Sequence, residues 1–459
     1  MTFKTSILLT SAFVASAFLS LAPGAQAKVD AQAQNSAAPV AEAHAPLQDA
    51  FLYAYPVFEF AKVRYLASFA APAGYSALNQ FQHQRTLAGP SARAVTTPNN
   101  DTLYSSAFID LSAGPVELAT PDFGTRYWSV SLMDAYTNNF KILGRRTAGG
   151  NARHYLIVGP GWTGTAPEGD TVIHAPGNWI WALARIVVNG PDDLEAVHRL
   201  QAALVLKPTS SNIISPSLAP REGDGANFLA VVDQALAENP PPATDHDALA
   251  RISAAGIGPG PAPTDSALVA AWSQALPKLE ASLAGEAKSH KADVVGGWTL
   301  PPKQLGDFGQ NYTLRATVAL VGLAALPPAE AIYISPVTDQ TGDALQSDRR
   351  YRLHIPKEGF PIDAFWSLSA YHEDPDGRLF FAENPIHRYA IGDRTQGLVK
   401  NADGSLDIYI QQSAPTDPKA AANWLPLPDG AVRLTLRLYQ PHADAIAGAY
   451  RPAPLERLP

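Results

Sequence analysis

The 459-residue chain contains no cysteine, which removes disulfides, thiolate metal sites and cysteine nucleophiles together. Charged residues are sparse at 17%, and basic residues never run longer than the pairs Arg145-Arg146 and Arg349-Arg350. With a formal net charge of -8, the chain lacks the clustered positive surface that nucleic acid demands, so no nucleic-acid partner is expected. Several catalytic signatures are missing as well: there is no Gly-x-Ser-x-Gly elbow, no Ser-x-x-Lys, no Gly-x4-Gly-Lys and no His-Glu-x-x-His. The eleven histidines are scattered without ligand spacing. His372-Glu373 is followed by Asp374-Pro375, which cannot place a second histidine one helical turn along. Neither a metal nor a cofactor is expected.

Hydrophobic residues make up 46% of the chain, enough to bury a large core and to exclude a disordered polymer. Forty prolines stand beside 33 glycines, and proline breaks helix interiors and central ladders, so the fold should be rich in turns and short elements. The first residues carry Lys4, an apolar stretch from Ile7 to Ala22 and the small-residue site Ala25-Gln26-Ala27. That order reads as a secretory signal peptide over 1–27, cleaved before Lys28, and predicts a periplasmic or secreted protein. No later run is apolar enough to span a bilayer. The Ala/Gln-rich stretch 28–45 reads as a disordered linker.

Periodicity then divides the chain. Over 46–94, Leu47, Phe51, Ala54, Phe58, Ala61 and Tyr65 recur at helical steps, with Pro46 suited to a first turn and Pro56 expected to kink it. Over 95–190 short β-rich runs separated by Gly/Pro turns predict an antiparallel sandwich: TLYSSAFIDL, VELAT, RYWSVSLM, HYLIVG, TVIHA and WIWALARIVV. Helical spacing returns over 191–327, with Asn227, Asp265 or Thr264, and Asn311 as candidate caps, and Pro277 expected to bend the second of these helices. A second sandwich is expected over 328–445, from AIYISPV, YRLHI, AFWSLSAY, LDIYIQQ and VRLTLRLY, followed by a tail over 446–459. The fold class is thus α+β and multidomain, with two antiparallel, jelly-roll-like sandwiches interleaved with helical regions.

The two β-regions resemble each other. Tyr127-Trp128-Ser129-Val130-Ser131 matches Phe365-Trp366-Ser367-Leu368-Ser369, and Tyr104 precedes Asp110 as Tyr333 precedes Asp339, by six residues. We read an internal duplication. Strand alternation puts Trp128 and Val130 on one face and Tyr127, Ser129 and Ser131 on the other.

Longer strings carry a family likeness. Asn79-x-Phe81-x-His83-x-Arg85, VTTPNNDTLYSSAFIDLSAGP, RYWSVSLMDAYTNN, GRRT and YLIVGPGW resemble the bacterial family catalogued as domain of unknown function 1254. FGQNYTLRATVA, AFWSLSAYHED, NADGSLDIYIQ, NWLPLP and LRLYQP resemble its usual companion, domain of unknown function 1214. The resemblance covers nearly the whole chain after residue 28 and implies exported bacterial proteins with two β-sandwich regions. It implies no settled reaction. One departure is Ala325-Leu326-Pro327, which stands where a Gly-x-Asn turn is expected.

Two polar groupings remain as site candidates. The first gathers His83, Arg85, Asn100, Asp101 and Tyr104, with Asn79 and Asn99 beside them. There Asp101 or His83 would be a general base, Arg85 would hold developing negative charge, and Asn100 and Tyr104 would donate to substrate oxygens. The second gathers Asp134, Tyr136, Thr137, Asn138, Asn139, Arg145 and Arg146 past the end of the Trp128 strand; of these Asp134, Tyr136, Asn138, Asn139 and Arg145, with Trp128, Trp366 and Tyr371, are candidate substrate-binding residues. Asp101 and Asp134 are expected at opposite strand ends, roughly 25 Å apart at 3.3 Å per residue, which disfavours a carboxylate pair. Glu373–Gly377 and Asn401–Gly404 read as strand-connecting turns before they read as calcium loops. These features suggest an exported, metal-independent hydrolase or lyase working by acid–base chemistry on a polar substrate such as a glycan, ester or amide. The alternative is a non-catalytic binding or envelope-associated protein taking a small-molecule or oligosaccharide-like ligand. Homo-oligomer formation is left open.

Overall fold

The computed structural model describes residues 38–70, 78–93, 96–210, 217–289, 292–300, 303–375 and 377–459. The signal-peptide reading over 1–27 and most of the linker reading lie outside the described residues. Helix α1 (Ala38–Ser68) begins inside the stretch expected to be disordered, and it continues as one element through Pro56. Leu47, Phe51, Ala54, Phe58 and Ala61 are buried as their spacing predicts, but so are Tyr53, Val57 and Phe60. A helix covered on several sides gains enough packing to offset the hydrogen bond that one proline removes.

The first β-unit has two sheets. One orders its strands β1 (Gln82–His83), β2 (Thr102–Asp110), β8 (Trp179–Val187), β4 (Trp128–Met133) and β5 (Asn139–Gly144). The other runs β7 (Thr171–His174), β6 (Arg153–Val158), β3 (Val116–Thr120) and β9 (Val205–Pro208). The 3.3 Å, two-residue pleat splits the side chains of the central strands between two cores. Leu103, Ala107 and Ile109 of β2, with Trp128, Val130 and Leu132 of β4, meet the second sheet through Val116, Leu118 and Ile157. Tyr104, Phe108, Trp179 and Trp181 face the helices instead. Burial on both sides explains why β8 is apolar along its whole length. The short helices α2 (Arg145–Ala148) and α3 (Leu194–Ala202) connect strands of this unit.

Five helices complete the outer layer on that side: α1 packs with α4 (Gly225–Glu238), α5 (His246–Ile252), α6 (Ser266–Ser289) and α7 (Tyr312–Val321). Asn311 caps α7 by accepting from the Leu314 N–H at 3.1 Å, and Asp265 accepts from Ala267 N at 2.8 Å at the start of α6, both as expected. The cap of α4 differs from expectation. Asp224 accepts from Asn227 N, so Asn227 lies one turn inside, where its amide ties the preceding loop through Ala219 O and Arg221 N. Helix α6 contains Pro277 without being interrupted. Among the described residues, no helix is long and apolar enough to cross a membrane.

A two-stranded ribbon, β10 (Val294–Val295) and β11 (Trp298–Thr299), leads into the second β-unit. Its first sheet orders β12 (Ala331–Ile334), β19 (Arg433–Tyr439) and β14 (Trp366–Glu373), whose far edge pairs with both β15 (Leu379–Phe380) and β16 (Ala390–Gly392). Its second sheet orders β18 (Trp424–Pro426), β17 (Leu406–Gln411), β13 (Arg350–Ile355) and β20 (Glu456–Leu458). One apolar core joins the two sheets through Ile332, Leu353, Leu368, Ile408 and Leu436. Helices α8 (Pro418–Ala422) and α9 (Ala443–Ile446) are single turns beside it. The protein is a mixed α+β fold with several largely antiparallel sheets and nine α-helices among the described residues.

The strand orders of the two units run in step. β2-β8-β4-β5 corresponds to β12-β19-β14-β16, and β7-β6-β3-β9 to β18-β17-β13-β20. Each second sheet contains one parallel pair at the matching place, β6 with β7 and β17 with β18.

Candidate functional site

The two units meet through the outer faces of their first sheets, in a cluster containing Tyr127, Val187, Leu326, Phe365 and Tyr439. Around it, each unit reaches into the other in the same way. Asp101, just before β2, takes Arg394 Nη2 on Oδ1 at 2.8 Å and the Ser367 hydroxyl on Oδ2 at 2.5 Å. Glu330, just before β12, takes Arg146 Nε at 2.9 Å and the Tyr127 hydroxyl at 3.0 Å. A buried arginine stands in each central strand: Tyr104 faces Arg185 across β2 and β8, and Tyr333 faces Arg437 across β12 and β19. Arg185 donates to Ser131 Oγ and to Ala324 O; Arg437 donates to Ser369 Oγ and to Thr97 O. Ala324, between α7 and β12, and Thr97, ahead of β2, which supply those carbonyls, both hold a left-handed backbone, at φ 66 and φ 54. A non-glycine residue stays there only when its surroundings fix it.

On the Asp101 side this junction opens as a cleft of about 490 Å³. Thr86, Leu87, Asn100 and Asp101 of the first unit form one wall, and the segment from Ile386 to Gln396 forms the other. Arg394 lies in that second wall with its guanidinium 4.1 Å from the Phe365 ring centroid, and it donates to Val188 O at 2.9 Å. Its neighbour Asp393 is pushed up to about 6 by burial, against the pull of the Arg394 charge. His387 and Tyr389 also line the cleft, with the tyrosine hydroxyl 3.5 Å from His387 Nδ1 and donating to Glu383 at 3.2 Å. Asn384 holds this loop by accepting from Ile386 N and Arg388 N, and His387 itself is left-handed at φ 49.

Of the first sequence grouping, only Asn100 and Asp101 reach the cleft. Asn100 is held by its bond to Ala88 O, while Asn99 caps the turn by accepting from Asp101 N and Thr102 N. His83 sits on edge strand β1 against Ser105 Oγ at 2.8 Å. Burial and then the Arg85 charge bring it down to about 4, so it is a neutral imidazole at pH 7. Arg85 turns to His198 O and Gln201, and Tyr104 is buried against Arg185. Asn79, left-handed at φ 57, accepts from Asp110 N.

The second grouping is spent on the β4–β5 turn. Asp134 accepts from Tyr136 N and Asn138 N, each at 2.9 Å, and burial lifts it to about 6. Tyr136 bonds Asn239 O, Asn138 accepts from Phe308 N, Asn139 donates to Ala325 O, and Arg145 donates to Thr125 O. Asp101 and Asp134 do lie at opposite ends of parallel-running β2 and β4. The reason is that both strands are antiparallel to β8, inserted between them, with Asp101 level with Val188 and Asp134 with Ile180. Eight residues of β8 amount to about 26 Å. The tryptophans are interior: Trp128 stacks on Phe123 at 4.4 Å between centroids, and Trp366 meets Phe360 edge-on at 5.2 Å. Tyr371 is buried with its hydroxyl on Pro98 O. None of the three offers a ring face to solvent, so they serve as packing. Around Glu373 the turn closes by Gly377 N to Asp374 O, and around Asn401 by Gly404 N to Asn401 O. Among the described residues, no three His, Asp or Glu side chains converge in a group that could hold a metal ion.

His387, Tyr389 and Arg394 were beyond sequence reasoning. The segment ENPIHRYAIGDR shows no motif, and its partners come from 293 residues away in the case of Arg394 and Asp101.

Residues 78–208 match the family model described as a protein of unknown function, DUF1254, and residues 330–443 match that described as DUF1214. The first match begins at the bridge from Leu78 to Phe108 and ends with β9, so it coincides with the first β-unit. The crystal structure of the VPA0106 protein from Vibrio parahaemolyticus is similar at a TM-score of 0.70 and 22% identity, over 90% of this chain and 99% of that one. An uncharacterised protein from Burkholderia cenocepacia reaches a TM-score of 0.42 at 13% identity, over 89% and 88% of the two chains. No curated protein matches the chain. The likeness to the Vibrio protein is one of fold.

Proposed function

We propose, for a chain that joins DUF1254 residues 78–208 to DUF1214 residues 330–443, that it takes a small polar organic molecule into the cleft between its β-units and acts on it as a hydrolase or lyase. One observation carries this reading: Asp101 and Arg394, from different units, meet in the wall of a 490 Å³ cleft that His387 and Tyr389 also line. Concave sites with a few convergent polar groups, placed where two units join, are where ligands bind. In the proposed chemistry His387 takes the proton, with Glu383 3.6 Å from its Nδ1 and Tyr389 beside it. Arg394 stays with Asp101, so its role is to hold a substrate oxygen near a positive charge that is already fixed in place. The scheme uses no metal: the carboxylate that lines the cleft, Asp101, already has one oxygen on Arg394 and the other on Ser367. We propose export as well, supported by the Lys4, Ile7–Ala22 and Ala25-Gln26-Ala27 pattern.

We also propose that the two β-units are sandwiches descended from one duplicated unit. Supporting this are the matching strand orders and the paired positions Tyr104 with Tyr333, Arg185 with Arg437, Asp101 with Glu330, and Arg146 with Arg394. Asp110 and Asp339 each accept from the backbone and hydroxyl of the residue two places on, Ser112 and Thr341.

A non-catalytic binding role is favoured by one fact, that both oxygens of Asp101 are already engaged. The two readings part on turnover. The full chain, assayed on a panel of esters, amides and glycosides, is expected to turn over at least one class, and His387→Ala to lower that rate about 100-fold or more. Absence of turnover across the panel would remove the enzyme reading, and rates unchanged in both His387→Ala and Tyr389→Phe would remove this cleft as its site.

A further inference from the structure

The inter-unit cleft has a strand edge in its wall. Ala390, Ile391 and Gly392 of β16 all line it, and among the described strands β16 pairs with β14 alone. In an antiparallel ladder, alternate residues turn their N–H and C=O toward the partner strand and away from it. Ala370 N donates to Tyr389 O at 3.2 Å, which fixes the phase: Ile391 turns toward β14, while Ala390 and Gly392 turn outward. The outward row is closed at both ends. Gly392 N donates to Thr395 Oγ1 and Gly392 O accepts from Thr395 N, each at 2.9 Å. Two residues before Ala390, Arg388 N donates to Asn384 Oδ1 and Arg388 O accepts from Asn384 Nδ2, each at 3.0 Å. Between these closures the N–H and C=O of half-buried Ala390 have no hydrogen-bond partner among the described residues. One donor and one acceptor are thus left side by side, the pattern that a residue of an extended peptide completes with its own C=O and N–H.

The first unit shows such an edge covered. There β5 corresponds to β16, since Ser129 faces Gly144 as Ser367 faces Gly392. Beside the start of β5 lies the chain's own backbone from before and after α7. Asn139 N donates to Gly306 O at 2.7 Å, Asn138 Oδ1 accepts from Phe308 N at 3.2 Å, and Asn139 Nδ2 donates to Ala325 O at 2.9 Å. Polypeptide therefore already fills, in the first unit, the place that corresponds to the cleft beside β16. Leu87 and Leu194 on one wall of the cleft, and Ile386 on the other at 43% exposure, add apolar surface for the side chains that alternate along an extended peptide. We propose that the ligand of the cleft is an extended peptide, one residue of which pairs through its N–H and C=O with Ala390. This rests on the reading of the cleft as a ligand site and narrows its polar organic substrate to an amide.

Isothermal titration of the full chain with acetyl-Leu-Ala-Leu-amide tests it, beside the same peptide N-methylated at all three residues and beside maltotriose. The unmethylated peptide is expected to bind once per chain, at least tenfold more tightly than either comparison. Amide hydrogen exchange at Ala390, read by NMR, is expected to be fast in the free protein and to slow tenfold or more with the peptide bound, whereas Ile391 is protected in both states. Ala390→Pro removes the outward donor at a place where an edge strand accepts proline, and is expected to weaken the peptide tenfold or more; the exchange measurement on the parent chain stands whether or not that variant folds. The proposal is overturned by no peptide binding at millimolar concentration, by binding that leaves exchange at Ala390 unchanged, or by either comparison binding as tightly as the peptide. Turnover of an ester or glycoside that His387→Ala lowers, with no peptide bound, would overturn the peptide and leave the enzyme reading of the cleft in place. Peptide bound at Ala390, with no turnover across the panel, would support the docking and remove the enzyme reading.

Discussion

Asp233 on α4 shows how a single buried carboxylate sets a pH dependence. It is 2% exposed, accepts from Gly258 N alone among the described residues, at 3.1 Å, and burial pushes it up from 3.8 to about 7. The folded protein therefore keeps a proton that the unfolded chain releases above about pH 4, so stability falls as pH rises through that window and levels off above it. Each unit of such a shift corresponds to about 1.4 kcal/mol. Asp233→Asn keeps an acceptor for Gly258 N and has nothing to ionise. It is expected to be more stable than the parent at pH 8 and to lose that advantage near pH 4, as read from urea midpoints across the range. An equal difference at both ends would mean that burial of this carboxylate carries no cost. At this scale the sequence was informative about residue types and silent about surroundings. His83 and Asp101 read alike as candidate bases, yet one sits on an edge strand against Ser105 and the other in an ion pair across the junction.

Among the elements, β5 and β16 illustrate why a strand ends where it does. Gly144 faces Ser129, and Gly392 faces Ser367. A Cβ on Gly144 would lie 2.6 Å from Trp128 O, and one on Gly392 2.2 Å from Trp366 O. Close backbone approach, more than turn geometry, requires glycine at both places. Gly392→Ala is expected to cost about 1–3 kcal/mol and, because β16 forms part of the cleft wall, to weaken any ligand bound there. Gly285→Ala in α6, where nothing lies within 4 Å, is expected to gain about 0.5–1 kcal/mol from helix propensity. Thermal midpoints of the two variants moving in the same direction would contradict this account. The long strands β2, β4, β8, β14 and β19 were legible from alternation and β-branched content. The edge strands β5, β15, β16, β18 and β20 were not, because two to six residues with mixed polarity pair only when a neighbour is already in place. The cap of α4 was misplaced by one turn for a similar reason: Asp224 and Asn227 are both good caps, and packing chose between them.

For the molecule as a whole, the reciprocal ties between the units matter most. Asp101 and Glu330 are buried, while Arg394 and Arg146 keep side-chain exposures of 19% and 36%. Water reaching the guanidinium side reduces the cost of breaking either pair below the 3–5 kcal/mol of a fully buried one, to about 1–3 kcal/mol. If the units are copies, Asp101→Asn and Glu330→Gln should lower the unfolding midpoint by similar amounts, since each strands an equivalent arginine and an equivalent hydroxyl. A large effect at one position with none at the other, measured by calorimetry, would show that the correspondence is one of topology alone.

The sequence by itself determined the absence of cysteine chemistry, the positions of the long strands and of helices α6 and α7, and the repeated Tyr, Asp and Trp-Ser landmarks. These depend on local periodicity and on side-chain type, which need no partner to be read. Tertiary structure alone decided that β8 lies between β2 and β4, that Trp128 and Trp366 are packing, and that the open cleft is formed with residues 386–396. The strand order and the cleft rest on contacts between distant segments, Thr102 with Val187 and Asp101 with Arg394, and no spacing along one chain encodes which distant carboxylate an arginine will meet.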